Sequence, residues 1–162
     1  MSRGQPVPGP DHVPMIALVH RLNRALQQDM VRAAHAHGHH GLKNSHNAVF
    51  ATLDAAGARA TDLAAQVGMT RQSMGEIIRE MTGLGIVESV PDPSDRRAKL
   101  VVWTEEGLRI ARDGYGHILE VEAACADEFG AEEFAWFRDA VVRITAMLTD
   151  EAAGPLPEGP TV

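Results

Sequence analysis

The most chemically distinctive segment of the sequence crowds three cations into four residues: Arg96, Arg97 and Lys99. Guanidinium and ammonium groups bind phosphate oxygens, and an arginine on a thin projecting loop can reach the minor groove of DNA, where narrow A·T tracts concentrate negative potential. Asp92 and Asp95 come shortly before the arginines, so we expect these carboxylates to brace the guanidinium groups. A solvated charged turn without a ligand is the alternative, and the surrounding elements decide between the two.

The residues on either side of these cations predict a β-hairpin. Residues 86–90 (IVESV) and 98–104 (AKLVVWT) are rich in Val, Ile and Trp, which favour strands. Arg96 and Arg97 are then expected at the tip of the hairpin, where they project from the body of the protein.

A second group of candidate DNA contacts precedes the hairpin, in the segment TDLAAQVGMTRQSMGEIIREM. Thr61 is expected to cap a short helix that stops at Gly68, and Thr70 is expected to cap the next one. Two helices joined by so short a turn are typical of a helix–turn–helix, whose second helix enters the major groove. A plain helical hairpin without a ligand is the alternative, but the hairpin that follows favours a winged helix.

The second of these helices has one apolar stripe, so its other face is expected to be exposed. Arg and Gln can form bidentate hydrogen bonds to guanine and adenine edges, and hydroxyl groups at a helix N-terminus can bind phosphate. The candidate DNA-binding residues of this helix are Thr70, Arg71, Gln72, Ser73, Glu76 and Arg79.

Helical periodicity extends over most of the remaining chain. It predicts a long amphipathic helix from about residue 12 to 36, a short helix that Ser45 caps and Gly57 closes, and two long helices after the hairpin. The last helix carries a regular apolar seam of Phe134, Phe137, Val141, Ile144 and Leu148. Such stripes need a surface to bury against, and a second copy of the chain is the simplest one. The predicted fold is mainly α with a small β-hairpin wing: a winged helix–turn–helix with long N- and C-terminal dimerisation helices.

Length and composition fit a single domain of 162 residues. We expect disordered tails at 1–11 and 151–162, dimerisation helices within 12–44 and 105–150, and the winged lobe within 45–104. The net charge of −7 is concentrated late, because residues 101–153 hold four Lys or Arg against twelve Asp or Glu. No stretch is apolar enough to span a membrane or to act as a secretory signal. A single cysteine, Cys125, fits a cytoplasmic location, and its place on an apolar stripe predicts a buried thiol.

The wing segment resembles the signature of MarR-type transcriptional regulators, through Asp92-Pro93-Ser94-Asp95-Arg96-Arg97-Ala98-Lys99-Leu100 and then Val102, Thr104 and Gly107. The resemblance covers about residues 12–150. It implies a homodimer with intertwined terminal helices that reads a palindromic double-stranded operator with two recognition helices. It also implies a minor-groove role for Asp95 and Arg97, and recognition-helix contacts from Thr70, Arg71, Gln72 and Ser73.

The same resemblance implies a repressor that a small aromatic or phenolic effector releases, rather than an enzyme, and no catalytic motif is recognisable in the sequence. Effectors of such regulators bind between the dimer helices and the DNA-binding lobe. The residues expected to line that pocket are Leu22, His46, Phe50, Tyr115 and Leu119. No cofactor is expected.

A run of histidines leaves one alternative open, a zinc-dependent regulator that senses metal through this His-rich loop. Five histidines lie within twelve residues, and a sixth follows later: His35, His37, His39, His40, His46 and His117. His-rich tracts can bind zinc. The run lacks a carboxylate or cysteine at ligand spacing, however, and Gly38 is expected to break the helix between its first members. A polar loop without a metal is the preferred interpretation.

Overall fold

The computed structural model describes residues 12–149. The predicted tails at 1–11 and 151–162 lie outside the described residues. The elements follow in the order α1 (Met15–Ala36), a 3₁₀ turn (Asn44–His46), α2 (Asn47–Phe50), α3 (Ala60–Gln66), α4 (Arg71–Gly83), β1 (Val87–Asp92), β2 (Asp95–Trp103), α5 (Glu105–Phe129) and α6 (Ala131–Thr149). The predicted fold class, mainly α with a β-hairpin wing and long helices at both ends, is confirmed.

The helix caps were predicted correctly only in part. Thr70 caps α4, because its Oγ1 accepts a hydrogen bond from the Ser73 amide at 3.1 Å. The prediction for Thr61 was wrong, since α3 begins at Ala60. The reason is tertiary: Ala58 pairs with Val101 of β2 through two backbone hydrogen bonds of 3.1 and 2.8 Å, which fixes where the extended chain ends. Ser45 does not cap a helix either, because it lies inside the 3₁₀ turn.

The hairpin is longer and its turn is tighter than predicted. β1 and β2 are antiparallel from the Val87–Trp103 pair to the Asp92–Asp95 pair, with an irregularity at the end of β1. Pro93 and Ser94 form the turn. Arg96 and Arg97 therefore lie in β2 just after the turn and not at its tip.

The buried core belongs to the winged lobe. In the described part of the chain, all thirteen buried apolar residues fall between residues 42 and 110: Leu42, Val49, Leu53, Leu63, Ala64, Met74, Ile77, Ile78, Met81, Ile86, Val87, Val101 and Ile110. The apolar stripe of α4 is thus buried as predicted. α5 begins so close to the base of the hairpin that a Cβ at position 107 would overlap the carbonyl of Ile86, which accounts for Gly107.

The first and last helices, α1 and α6, are called the outer helices, and they contribute no buried residue to this core. Their apolar side chains are instead exposed, among them Ile16, Leu18, Val19 and Leu22 of α1 and Trp136, Phe137, Val141 and Leu148 of α6. Between residues 12 and 149, no helix combines the length and the apolar character that crossing a membrane requires.

Candidate nucleic-acid interface

The outer face of α4 presents a row of polar side chains to solvent. Every residue that the sequence predicted for this face is exposed: Thr70, Arg71, Gln72, Ser73, Glu76 and Arg79. Two weak local contacts order the row, from the Thr70 hydroxyl to the Ser73 hydroxyl at 2.9 Å and from Gln72 Nε2 to Glu76 Oε1 at 3.3 Å. The hydrogen-bonding groups of this face are therefore turned away from the core, where a ligand can reach them.

Four cations on α4 and β2 have exposed side chains that are not engaged in salt bridges with other described residues: Arg71, Arg79, Arg97 and Lys99. Some other cations are paired, for example Arg109 with Glu106 at 2.6 Å, whereas Arg21, Arg24 and Arg112 also form no salt bridge with another described residue. Val101 is buried while Lys99, two residues earlier, is exposed, so the hairpin leaves the core between them. Four unpaired charges thus lie on α4 and on the projecting part of the wing, where they can contact phosphates.

Neither wing carboxylate braces the guanidinium of Arg97 as predicted. Asp95 Oδ1 accepts a hydrogen bond from the backbone N–H of Arg97 at 3.0 Å, not from its guanidinium. Asp92 is buried and turns back toward the lobe. Arg96 follows Asp95 in β2, next to the turn.

The partner of Asp92 is Arg59, which sequence reasoning missed. Arg59 precedes α3 and donates from Nε and a terminal nitrogen to Asp92 Oδ2 at 2.8 and 2.6 Å. The other oxygen, Oδ1, accepts from the Ser94 amide at 2.8 Å and from its hydroxyl at 2.6 Å. The hydrogen bonds from Ser94, followed by those from Arg59, lower the pKa of Asp92 from 3.8 to about 2. The carboxylate therefore holds the wing turn in shape and ties it to α3.

A second long-range contact involves the second half of α4. Glu80 accepts hydrogen bonds from Lys43 and from His46, whose side chain is only 1% exposed. The Lys43 ammonium, and then His46, lower the pKa of Glu80. His46 was expected to line the effector pocket, but its ring is directed into this polar cluster.

A small cavity of about 120 Å³ lies between the C-terminal end of α1, the segment 42–50 and α5. Phe50 and Tyr115, both predicted for the effector pocket, line it. Two of its lining residues have a buried nitrogen without a hydrogen-bond partner, His39 Nε2 and Asn47 Nδ2. The nearest acidic group, Asp113 Oδ2, is 3.9 Å from His39 Nε2, which is too long for a hydrogen bond.

A larger open cleft of about 880 Å³ lies between α1, the lobe and the last two helices. Leu22 and Phe50 line it, whereas Leu119 and His46 line neither of these two cavities. Cys125 also lines the cleft and is half-buried, not fully buried as predicted. Three of the five predicted pocket residues thus line one or both of these spaces, and two line neither.

Four of the histidines contact backbone carbonyls or carboxylates: His35, His37, His46 and His117. His35 and His37 each contact a carbonyl oxygen at 2.9 Å, those of Leu42 and Ala33. His117 binds Asp29 at 2.7 Å, and this hydrogen bond, followed by one from Arg32, lowers the pKa of Asp29. Over residues 12–149, no group of three or more His, Cys, Asp or Glu side chains is placed to hold a metal ion.

Comparison with known proteins finds a family model that matches part of the chain. Residues 40–98 match a family model described as the MarR family. No curated protein matches the sequence.

Many solved structures share the fold, and three of them are described here. A MarR-family regulator from Rhodococcus sp. RHA1 is 23% identical, with a TM-score of 0.64, over 80% of this chain and 91% of its own. CouR from Rhodococcus jostii RHA1, bound to p-coumaroyl-CoA, is 27% identical, with a TM-score of 0.60, over 80% of this chain and 90% of its own. CouR bound to a 23-mer DNA duplex is 17% identical, with a TM-score of 0.64, over 83% of this chain and 92% of its own.

Proposed function

We propose that this chain is a winged helix–turn–helix transcriptional regulator of the MarR family, whose model matches residues 40–98. We propose further that it is a homodimeric repressor of a palindromic operator, released by a small-molecule effector. The observation that carries the DNA-binding part is the exposed polar face of α4, with the unpaired cations Arg71 and Arg79, beside a wing that projects Arg97 and Lys99. Arg71 and Gln72 read base edges in the major groove, and the wing cations contact the neighbouring backbone and minor groove. A structural relative, CouR, has been solved on a DNA duplex.

The exposed apolar side chains of the outer helices support the homodimer. Phe137 and Val141 of α6 are 44% and 46% exposed, and Leu18 and Leu22 of α1 are similarly open. Contiguous apolar surface of this kind marks an interface in a protein that is not in a membrane. A two-fold dimer through these helices presents two copies of α4, and two-fold symmetry in the protein requires inverted symmetry in the operator.

The small cavity supports release by an effector. Its walls are mostly apolar, with Phe50 and Ile110 among them, and its unsatisfied polar atoms are His39 Nε2 and Asn47 Nδ2. Asn47 Nδ2 can only donate, so it requires an acceptor oxygen. A compact aromatic molecule with a carboxylate or phenolic oxygen meets both requirements, and the CouR structure with p-coumaroyl-CoA shows that a relative binds an aromatic acid derivative.

Selection from a random-sequence duplex library tests the DNA-binding proposal. The purified protein should enrich an inverted repeat, and the complex should contain two protomers per duplex by mass. Enrichment of no sequence, at low as well as at moderate salt, would contradict sequence-specific binding. Enrichment of a site without inverted symmetry would contradict the dimeric arrangement alone.

Aromatic acids of graded size, such as benzoate, 4-hydroxybenzoate and 4-coumarate, test the effector proposal. At least one should raise the thermal midpoint of the protein and release the selected duplex, and Asn47→Leu should reduce both effects because it removes the buried donor. Release that is equally strong from the Asn47→Leu protein would show that the effector does not use this cavity.

A further inference from the structure

Glu80 connects the recognition helix to the segment that leads out of α1. It lies in the second half of α4, and its Oε2 accepts a hydrogen bond from Lys43 Nζ at 2.9 Å and one from His46 Nε2 at 3.1 Å. The partners are 37 and 34 residues away along the chain. Lys43, His46 and Glu80 are called the polar joint below.

The imidazole of His46 is fixed from both sides. The backbone N–H of Lys43 donates to His46 Nδ1 at 3.2 Å, so Nδ1 must carry the lone pair. The remaining proton is then on Nε2, which donates it to Glu80. Because His46 is 1% exposed, water cannot replace Glu80 as its acceptor without rearrangement. The hydrogen bond from His46 to Glu80 is therefore directional, because only one arrangement satisfies the buried ring.

α4 needs such a contact to hold its outer face in a defined direction. The rest of its attachment is the apolar stripe of Met74, Ile77, Ile78 and Met81. Apolar burial is not directional, so it allows small rotations of the helix about its axis. Base reading tolerates little rotation, since a bidentate contact requires both hydrogen bonds at once. Glu80 follows Arg79 directly, and fixing Glu80 fixes the direction in which the exposed face points.

We propose that Glu80 is a positioning residue for DNA recognition, which holds α4 through His46 and Lys43 without contacting DNA itself. This inference rests on the proposed function. A positioning role and simple electrostatics predict opposite changes in DNA affinity when the carboxylate of Glu80 is removed. Removal of a carboxylate from the neighbourhood of a polyanion should strengthen binding to any duplex, whereas loss of a positioning contact should weaken binding to the selected sequence.

The test compares Glu80→Ala and Glu80→Gln with the wild-type protein on two probes, the duplex that the wild-type protein selects from a random library and a scrambled duplex of equal length. Glu80→Ala should weaken binding to the selected duplex about tenfold, the effect of one lost charge-assisted hydrogen bond. Binding to the scrambled duplex should stay equal or become tighter. Glu80→Gln keeps an acceptor oxygen for His46, so it should restore part of the ratio between the two duplexes.

Glu88→Gln is the charge control, because Glu88 is an exposed carboxylate of β1 outside the polar joint. It should not weaken binding to the selected duplex. Thermal unfolding of each variant shows whether it is folded. If Glu80→Ala is not folded, the ratio of the affinities of Glu80→Gln for the selected and the scrambled duplex decides.

Three outcomes would overturn the positioning role. The first is Glu80→Ala binding the selected duplex as tightly as wild type or more tightly. The second is an equal loss on both duplexes, which points to general destabilisation. The third is a wild-type protein that selects no sequence, and only this one also removes the proposed function.

Discussion

Arg59 donates two hydrogen bonds to a single carboxylate oxygen of Asp92, from Nε at 2.8 Å and from a terminal guanidinium nitrogen at 2.6 Å. Arg59 lies just before α3, and Asp92 lies at the end of β1, 33 positions later. Asp92 also shapes the turn through Ser94, so one buried carboxylate sets both the turn and the attachment of the wing. The direction in which Arg97 projects thus depends on a residue outside the hairpin.

Asp92→Asn should lower the stability of the protein at neutral pH by several degrees in the thermal midpoint. Asn at this position keeps an acceptor but loses the charge that attracts Arg59. The pKa of Asp92 is depressed from 3.8 to about 2, so its stabilising contribution is complete above pH 3.8 and is lost as the pH falls toward 2. Wild type and Asp92→Asn should therefore converge in unfolding free energy over this interval, as measured by denaturant titration at several pH values.

Glu88→Gln provides the control for that comparison, since Glu88 lies on the same strand and is exposed. It should follow the wild-type curve at every pH. A constant difference between Asp92→Asn and wild type from neutral pH down to about 2 would mean that the pair with Arg59 does not stabilise the fold through its charge.

Ile144→Asp should convert the proposed dimer to a monomer or to insoluble protein. Ile144 belongs to the apolar seam of α6 that includes the exposed Phe137 and Val141, and an unpaired carboxylate buried in an interface is strongly unfavourable. Light scattering after size exclusion should give half the wild-type mass. Ala135→Asp adds the same charge at an exposed position on another side of α6 and should remain dimeric. An intact Ile144→Asp dimer would remove this seam from the interface.

Arg97→Ala should weaken binding to the selected duplex and to a scrambled one by similar factors. A wing arginine responds to groove width and phosphate potential, which depend only weakly on sequence. If Arg97 neutralises one phosphate, the slope of log K against log salt should become shallower by about 0.9. Arg112→Ala removes an exposed cation of α5 instead and should leave that slope unchanged. An unchanged affinity of Arg97→Ala on both duplexes would show that the wing does not touch DNA.

Gln72→Ala should have the complementary effect, a loss of specificity. Gln72 is exposed in the first turn of α4, where its amide makes only a 3.3 Å contact with Glu76, so it is free to form a bidentate contact with adenine. We expect a cost of about 1–3 kcal/mol on the selected duplex and nearly unchanged binding to the scrambled one. Isotherms on both duplexes at two salt concentrations measure this ratio. Equal weakening on both would mean that another face of α4 reads the bases.

The sequence by itself determined the elements and the orientation of their faces. Apolar residues three and four positions apart placed Met74 and Ile78 in the core and therefore Arg71 and Gln72 in solvent, because helical geometry couples the two faces. Strand-forming residues on both sides of the charged segment predicted the hairpin, because Val, Ile and Trp favour extended backbone. Periodicity is a local property, and local properties can be read from neighbouring residues.

Only the tertiary structure decided which polar groups meet. Arg59 with Asp92, and His46 with Glu80, join residues more than thirty positions apart, and no periodic pattern relates them. The start of α3 likewise depends on the pairing of Ala58 with β2 and not on the hydroxyl of Thr61. A hydrogen bond requires a defined distance and angle between two atoms, and those are fixed only after the apolar core has brought distant segments together.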